Sequence, residues 1–239
     1  MPPTQIINSA NYYDRTANDF DRYSNSKMNY LNSINNLILG EIAPGKTVID
    51  IGSGSGTRIC KLSSSLLPQK LLCIDSSTEM LKKCEQYKLP VIKYDIASEN
   101  LEKHGEFEVA LCLWNVLGHI SSAPARRLAL KYIYKNLAPR GKLIIDVNNR
   151  YNIKNYGFKN VARNFLLDKL NLSSGDFDLK LTDDHSIITK VHIFTKDEII
   201  NLIKKTGFQI TKIHYFNYES GNKEKNSWLG QIAVIATKP

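Results

Sequence analysis

Apolar positions along this chain follow two rhythms. Short runs without alternation, "TVIDIG" (47–52), "KLLCID" (70–75), "PVIKYDI" (90–96), "FEVALCLWNVL" (107–117) and "GKLIIDV" (141–147), read as strands buried on both faces. Between them apolar residues recur at helical spacing, as with Ile59, Leu62 and Leu66 in "TRICKLSSSLL" and in "STEMLKKCEQY" and "PARRLALKYIYKNL". The last of these has proline at its start, where a missing N–H costs nothing. Upstream, Met28, Leu31, Ile34 and Ile38 predict one helix over 18–39. Strands alternating with helices in this way predict a parallel sheet covered on both sides.

The rhythm changes twice. "TKDEIINLIKKTGF" predicts a helix opened by a Thr195/Glu198 capping box and stopped at Gly207. It precedes two strands, "QITKIHYF" and "QIAVIATK", with no helical pattern between them. A parallel pair needs a crossover, so these two are predicted antiparallel. Residues 150–190 do not fit the alternation. There "GDFDLKLTDDHSIITKVHIF" predicts a hairpin with Phe177, Leu179 and Leu181 on one face. An insertion after the fifth strand stands above the sheet's carboxyl edge, where loops shape substrate sites.

At 239 residues the chain suits one domain, 1–239, with a helical cap over 1–40 and an inserted substrate lid over 150–190. No apolar run approaches the roughly 18 residues that span a bilayer, so no membrane partner is expected. The N-terminal segment lacks the pattern of a secretion signal. Cys60, Cys73, Cys84 and Cys112 show no metal-ligand spacing, and reduced thiols in a cytoplasmic monomer or homodimer are expected. The net charge of +9 comes from scattered pairs such as Lys82-Lys83, Arg126-Arg127 and Lys204-Lys205. It favours anionic partners and leaves RNA open as a secondary one.

The chemistry concentrates at "VIDIGSGSGT" (48–57). A glycine-rich turn between strand and helix lets backbone approach a ligand closely. The third glycine, Gly56, comes one place early for the dinucleotide fingerprint, and no Gly-Lys-Ser/Thr follows for a phosphate loop. Asp75 ends the second strand, where it can accept from both hydroxyls of a ribose or cap the next helix. Asp95 ends the third, where it can accept from an adenine amino group while the Ile96 amide donates to the ring.

With "LLCIDSSTEML", "IKYDIA", "ALCLWNVLGHI", "LAPRGKLIIDV" and the closing "TGFQITKIHYF … IAVIATKP", the chain resembles the class I S-adenosylmethionine-dependent methyltransferases over roughly 10–148 and 192–239. The resemblance implies a Rossmann-like, doubly wound α/β fold. Its seven-stranded sheet is mostly parallel, with an antiparallel last strand and here a small inserted lid. It also implies S-adenosylmethionine as cofactor. Gly52, Ser53, Gly54 and Gly56 are then expected beside its methionine part, with Asp50 at its amino group. Asp75 and Ser76 are expected at the ribose, Met80, Asp95 and Ile96 around the adenine, and Leu113 and Asn115 along the fourth strand. The small-molecule branch implies an acceptor-facing His119 and a Tyr13 that covers cofactor and acceptor. His119 can equally be a helix-start residue bonded to backbone, and Tyr13 part of aromatic packing; Phe20 and Tyr23 read as core. Asp146, Asn148 and Asn149 of "DVNNRYN" are candidate acceptor ligands that can instead make turns. Trp228 reads as a pocket wall or a core residue.

The expected activity is transfer of a methyl group to an N or O nucleophile of a small molecule. An RNA (tRNA) methyltransferase, a non-catalytic cofactor-binding regulator and a dehydrogenase are the alternatives. Alignment of nucleophile, methyl and sulfur supplies most of the catalysis in such an in-line displacement.

Overall fold

The computed structural model describes residues 4–98, 101–172, 175–181 and 187–239. In chain order the strands are β1 (Gln5–Ile6), β2 (Thr47–Ile51), β3 (Lys70–Asp75), β4 (Val91–Lys93), β5 (Phe107–Cys112), β6 (Leu137–Val147), β7 (Asp176–Leu179), β8 (Ile187–His192), β9 (Gln209–Phe216), β10 (Lys223–Glu224) and β11 (Gln231–Thr237). The helices are α1 (Ser9–Ser26), α2 (Met28–Glu41), α3 (Thr57–Leu66), α4 (Thr78–Glu85), α5 (Ala123–Asn136), α6 (Ile153–Tyr156), α7 (Phe158–Lys169) and α8 (Lys196–Thr206).

The main sheet has the order β10-β9-β11-β6-β5-β2-β3-β4. The five strands from β6 to β4 are mutually parallel, and β11 runs antiparallel between β6 and β9. The expected seven-stranded sheet with its reversed last strand is present, and the two-residue β10 adds an eighth at the edge. The non-alternating runs follow from burial on both sides. Ile49, Ile74, Ala110 and Ile145 face a core shared with α5 and α8 through Leu130, Ile133, Ile199 and Ile203. Val48, Cys73, Leu111 and Ile144 face a second core with α2 and α3 through Ile34, Ile38, Ile59 and Leu62.

Three local expectations are corrected. The helix over 18–39 is two helices, α1 and α2, broken at Lys27, whose backbone leaves the helical region (φ −110°, ψ 16°). The strand expected over 141–147 begins at Leu137, with Arg140 inside it at φ 62° and a shift of register against β5 absorbing the bend. The 150–190 segment contains two helices, α6 and α7, besides its hairpin. The capping box and glycine stop of α8 are both formed.

The hairpin strands β7 and β8 are antiparallel, and β1 joins β8 in parallel to make a separate three-stranded sheet. The hairpin's tip, 182–186, lies outside the described residues. The first turn of α1 is tied to this small sheet, because the Leu181 amide donates to the Tyr12 hydroxyl at 2.7 Å. The N-terminal segment and the insertion therefore form one cover over the carboxyl edge of the main sheet.

Candidate functional site

Beneath that cover lies a cavity of about 710 Å³, within the range of small-ligand sites. Its floor is the loop after β2. Gly52, Gly54 and Gly56 all have positive φ (69°, 56° and 78°), which an L side chain adopts only with strain. The Gly52 and Ser53 amides both donate to the Ile74 carbonyl, folding the loop back over β3. The Gly54 amide donates to Asp75 Oδ2 and the Ser77 amide to Oδ1, each at 2.9 Å. Burial pushes the Asp75 carboxyl up, and the backbone donors oppose that shift. Each carboxylate oxygen keeps a lone pair for a further donor.

Gly52, Ser53, Gly54, Asp50, Asp75, Ser76, Met80, Asp95, Ile96, Leu113, Asn115, Asn148, His119 and Tyr13 all line the cavity. Three of the expected site residues do not. Gly56 caps α3, and a Cβ there would stand 2.6 Å from Cys84 Sγ, so its smallness serves the packing of α3 on α4. Asp146 is 1% exposed and accepts from the Tyr30 hydroxyl at 2.7 Å and the Trp114 amide at 2.8 Å. It thereby holds Trp114 and Asn115, two consecutive non-glycine residues at φ 57° and 62°. Asn149 is wholly buried. Its amide nitrogen bonds the Ser227 and Gly230 carbonyls, splinting β6 to the last hairpin. Asn115 is itself partly structural, since its side chain donates to the His192 carbonyl and accepts from the Asn148 amide. Trp228 stacks on Tyr151 outside the cavity, at 5.4 Å between ring centroids.

A cluster of aromatic rings not foreseen at the site lines the cavity. Phe20 and Tyr23, expected in the core, face the cavity from α1 together with Trp114 and Tyr218. Tyr23 stacks on Trp114 at 5.5 Å, and the Trp114 indole N–H donates to the Tyr218 hydroxyl at 3.0 Å. Such π faces attract a cationic ligand. Arg58, also unforeseen, reaches the cavity from the first turn of α3. Its Nε donates to Asn35, whereas its Nη2 is buried without a hydrogen bond, in a long ion pair of 4.0 Å with Asp146. The Asp50 carboxyl is pushed up to about 7 by burial, against the pull of Arg58.

Also lining the cavity, Tyr13 Oη and His119 Nε2 stand 3.1 Å apart. Burial holds the phenol far above its ordinary range and lowers the imidazole to about 4. His119 is therefore neutral, the direction of its bond to the phenol follows the imidazole tautomer, and its Nδ1 is buried without a hydrogen-bond partner among the described residues. A histidine that titrates lower folded than unfolded costs stability as pH falls from about 6.5 to about 4, because the unfolded chain takes the proton first. Asp50, shifted upward, has the opposite slope over much of that window, so the effect is isolated by difference. Urea unfolding of wild type and His119→Phe at about pH 7 and about pH 4 should show the wild type losing about 3 kcal/mol more than the variant. Equal losses would mean that His119 is not held neutral.

Comparison with known proteins completes the picture. Residues 24–213 match the model of a family described as a methyltransferase domain. The chain is 26% identical over 179 residues to a glycine/sarcosine/dimethylglycine N-methyltransferase of Actinopolyspora halophila, covering 69% of this chain and 31% of that protein. It is 27% identical over 117 residues to a glycine/sarcosine N-methyltransferase of Halorhodospira halochloris, covering 46% and 43%. The chain thus spans less than half the length of either relative. A Thermotoga maritima S-adenosylmethionine-dependent methyltransferase shares the fold across 96% of this chain and 99% of its own, with TM-score 0.67 and 17% identity. The N-methyltransferase NodS of Bradyrhizobium japonicum, in complex with S-adenosylhomocysteine, covers 92% and 86%, with TM-score 0.55 and 13% identity. Strand order, glycine loop and family match agree, and the chain belongs to the methyltransferase domain family.

Proposed function

We propose that this chain is an S-adenosylmethionine-dependent methyltransferase that methylates a nitrogen of a small molecule. The observation that carries this reading is the set of groups around the glycine loop. Asp50 and Arg58 both line the cavity around the glycine loop, an acceptor for the ammonium and a cation for the carboxylate of a methionine moiety. Arg58 Nη2, buried with no hydrogen bond and only a 4.0 Å ion pair to Asp146, has donor capacity left for an acceptor. Asp75 has lone pairs left for ribose hydroxyls, and Met80 and Ile96 give apolar surface beside Asp95 for an adenine. When bound, S-adenosylmethionine supplies a methyl on a sulfonium that leaves as a neutral thioether.

The chain's own residues align the acceptor and exclude water. Leu179, Leu181 and Val191 of the cover present apolar surface to the cavity. Tyr13, hydrogen-bonded to His119, keeps a lone pair on Oη that can accept from an N–H of the acceptor. Neither group is a strong base in this setting, so the pair orients rather than deprotonates. That suits an amine, which attacks through its lone pair and sheds its proton afterwards; an alcohol would need a base first. The two halophile relatives, both N-methyltransferases by name, support nitrogen in the same sense.

The test is release of S-adenosylhomocysteine from a panel of primary and secondary amines, phenols and transfer RNA. Turnover is expected with amines. His119→Ala should slow it by roughly 10- to 100-fold with cofactor affinity kept, the scale of a lost orienting hydrogen bond. Turnover with RNA alone, or cofactor binding without turnover on any acceptor, would overturn the proposal.

A further inference from the structure

The pair Arg126-Arg127, expected among scattered surface charges, splits in the structure. Arg127 is exposed, whereas Arg126 is only 5% exposed and lines the cavity. It stands in the first turn of α5, where a cation opposes the helix macrodipole. Burial pulls its pKa down, and the charges of Asp176 and Glu198 oppose that shift. A guanidinium buried in this way costs free energy unless its N–H groups are paired. Its Nη1 donates to the Ile120 carbonyl at 2.8 Å. Nε and Nη2 bond to none of the described residues, yet neither is sealed from solvent.

The nearby carboxylates are engaged elsewhere. Asp176 Oδ1 and Glu198 Oε1 hold the two ring nitrogens of His192, at 2.8 and 2.6 Å, and Glu198 Oε2 accepts from Arg150 at 2.9 Å. Among the described residues neither acid forms an ion pair with Arg126. The guanidinium is fastened to Ile120, the residue after His119, whose ring meets Tyr13. A buried cation with an open edge thus stands one residue beyond the pair that orients the amine.

We propose that the acceptor amine also carries a carboxylate, and that the Nε and Nη2 edge of Arg126 binds it. This inference rests on the N-methylation proposed above. The edge offers two parallel N–H donors, the fork that fits the two oxygens of a carboxylate. A doubly charged phosphate fits less well, because Asp176 and Glu198 already act on Arg126 and repel a second negative charge. An uncharged amine leaves both N–H groups to water.

The experiment follows S-adenosylhomocysteine release from the common α-amino acids, β-alanine and γ-aminobutyrate, each beside its amide, which removes the charge and keeps the size. The preferred acid is expected to exceed its amide by roughly 100-fold in kcat/KM. Arg126→Gln should erase that preference by raising KM for the acid roughly 100-fold, with kcat changed little and turnover of the amide kept. Arg126→Lys keeps the charge without the fork and should restore only part of the preference. Acetate, a carboxylate with no amine, should compete with the acid in wild type, a readout that needs no variant to fold. The proposal is overturned if amides serve as well as their acids, if acetate does not compete, or if Arg126→Gln slows acid and amide equally. Turnover confined to uncharged amines overturns it and leaves N-methylation standing. Cofactor binding with no turnover on any amine removes both readings.

Discussion

Gly56→Ala is expected to lower the melting temperature by roughly 6–12 °C, the equivalent of about 3 kcal/mol in a domain of this size. Two costs add. Alanine at φ 78° is strained by about 1–2 kcal/mol. Its Cβ would also stand 2.6 Å from Cys84 Sγ and 3.0 Å from the Cys84 backbone, so α4 must move. Overpacking of that kind typically costs 1–3 kcal/mol. Differential scanning calorimetry reads the shift. A melting temperature within a degree or two of wild type would mean that α3 and α4 do not meet there. Gly54 makes the useful contrast. A Cβ at Gly54 meets only the Phe20 ring, at 3.6 Å, so a side chain there strains the backbone and enters the cavity without displacing a helix.

Asp75→Asn is expected to weaken S-adenosylhomocysteine binding by roughly 100-fold or more. The carboxylate acts twice: it fixes the glycine loop through the Gly54 amide, and in the proposed reading it accepts from the ribose. Hydrogen bonds to a charged acceptor are worth about 1.5–3 kcal/mol each, and asparagine loses one acceptor oxygen and the charge. The variant also faces one backbone N–H with a donor instead of an acceptor, so some stability goes as well. Affinity should therefore be measured well below its lowered melting temperature. Affinity equal to wild type would remove Asp75 from the cofactor site.

The elements best read from sequence were those whose rhythm has one physical cause. Runs such as "KLLCID" need burial on both faces, and the stretch after β9 contains no helix, so its partner strand must reverse. The Lys27 break was hidden because apolar positions continue in register on both sides of it with no glycine or proline between them. The glycine loop was legible, but the reason for each glycine was not. Gly54 faces the cavity, whereas Gly52 answers to Val116 and Gly56 to Cys84, contacts 64 and 28 positions away in the chain. Asp146 and Asn149 end a strand at the right edge, where a ligand-binding acid and a scaffolding acid look alike. Only the partners Tyr30, Trp114, Ser227 and Gly230 separate the two. The aromatic border draws Phe20, Tyr23, Trp114 and Tyr218 from three distant segments, and no local pattern announces it. Arg58 had a usable signal: a cation in the first turn of the helix that follows a glycine-rich loop, where helix N-termini gather anions.

The most direct test of the central claim is calorimetric titration of the wild-type chain with S-adenosylhomocysteine, with NADH titrated in parallel. The proposed site predicts saturable one-to-one binding of S-adenosylhomocysteine at micromolar affinity and no comparable heat from NADH. Saturation by NADH, with no heat from S-adenosylhomocysteine at millimolar concentration, would contradict it.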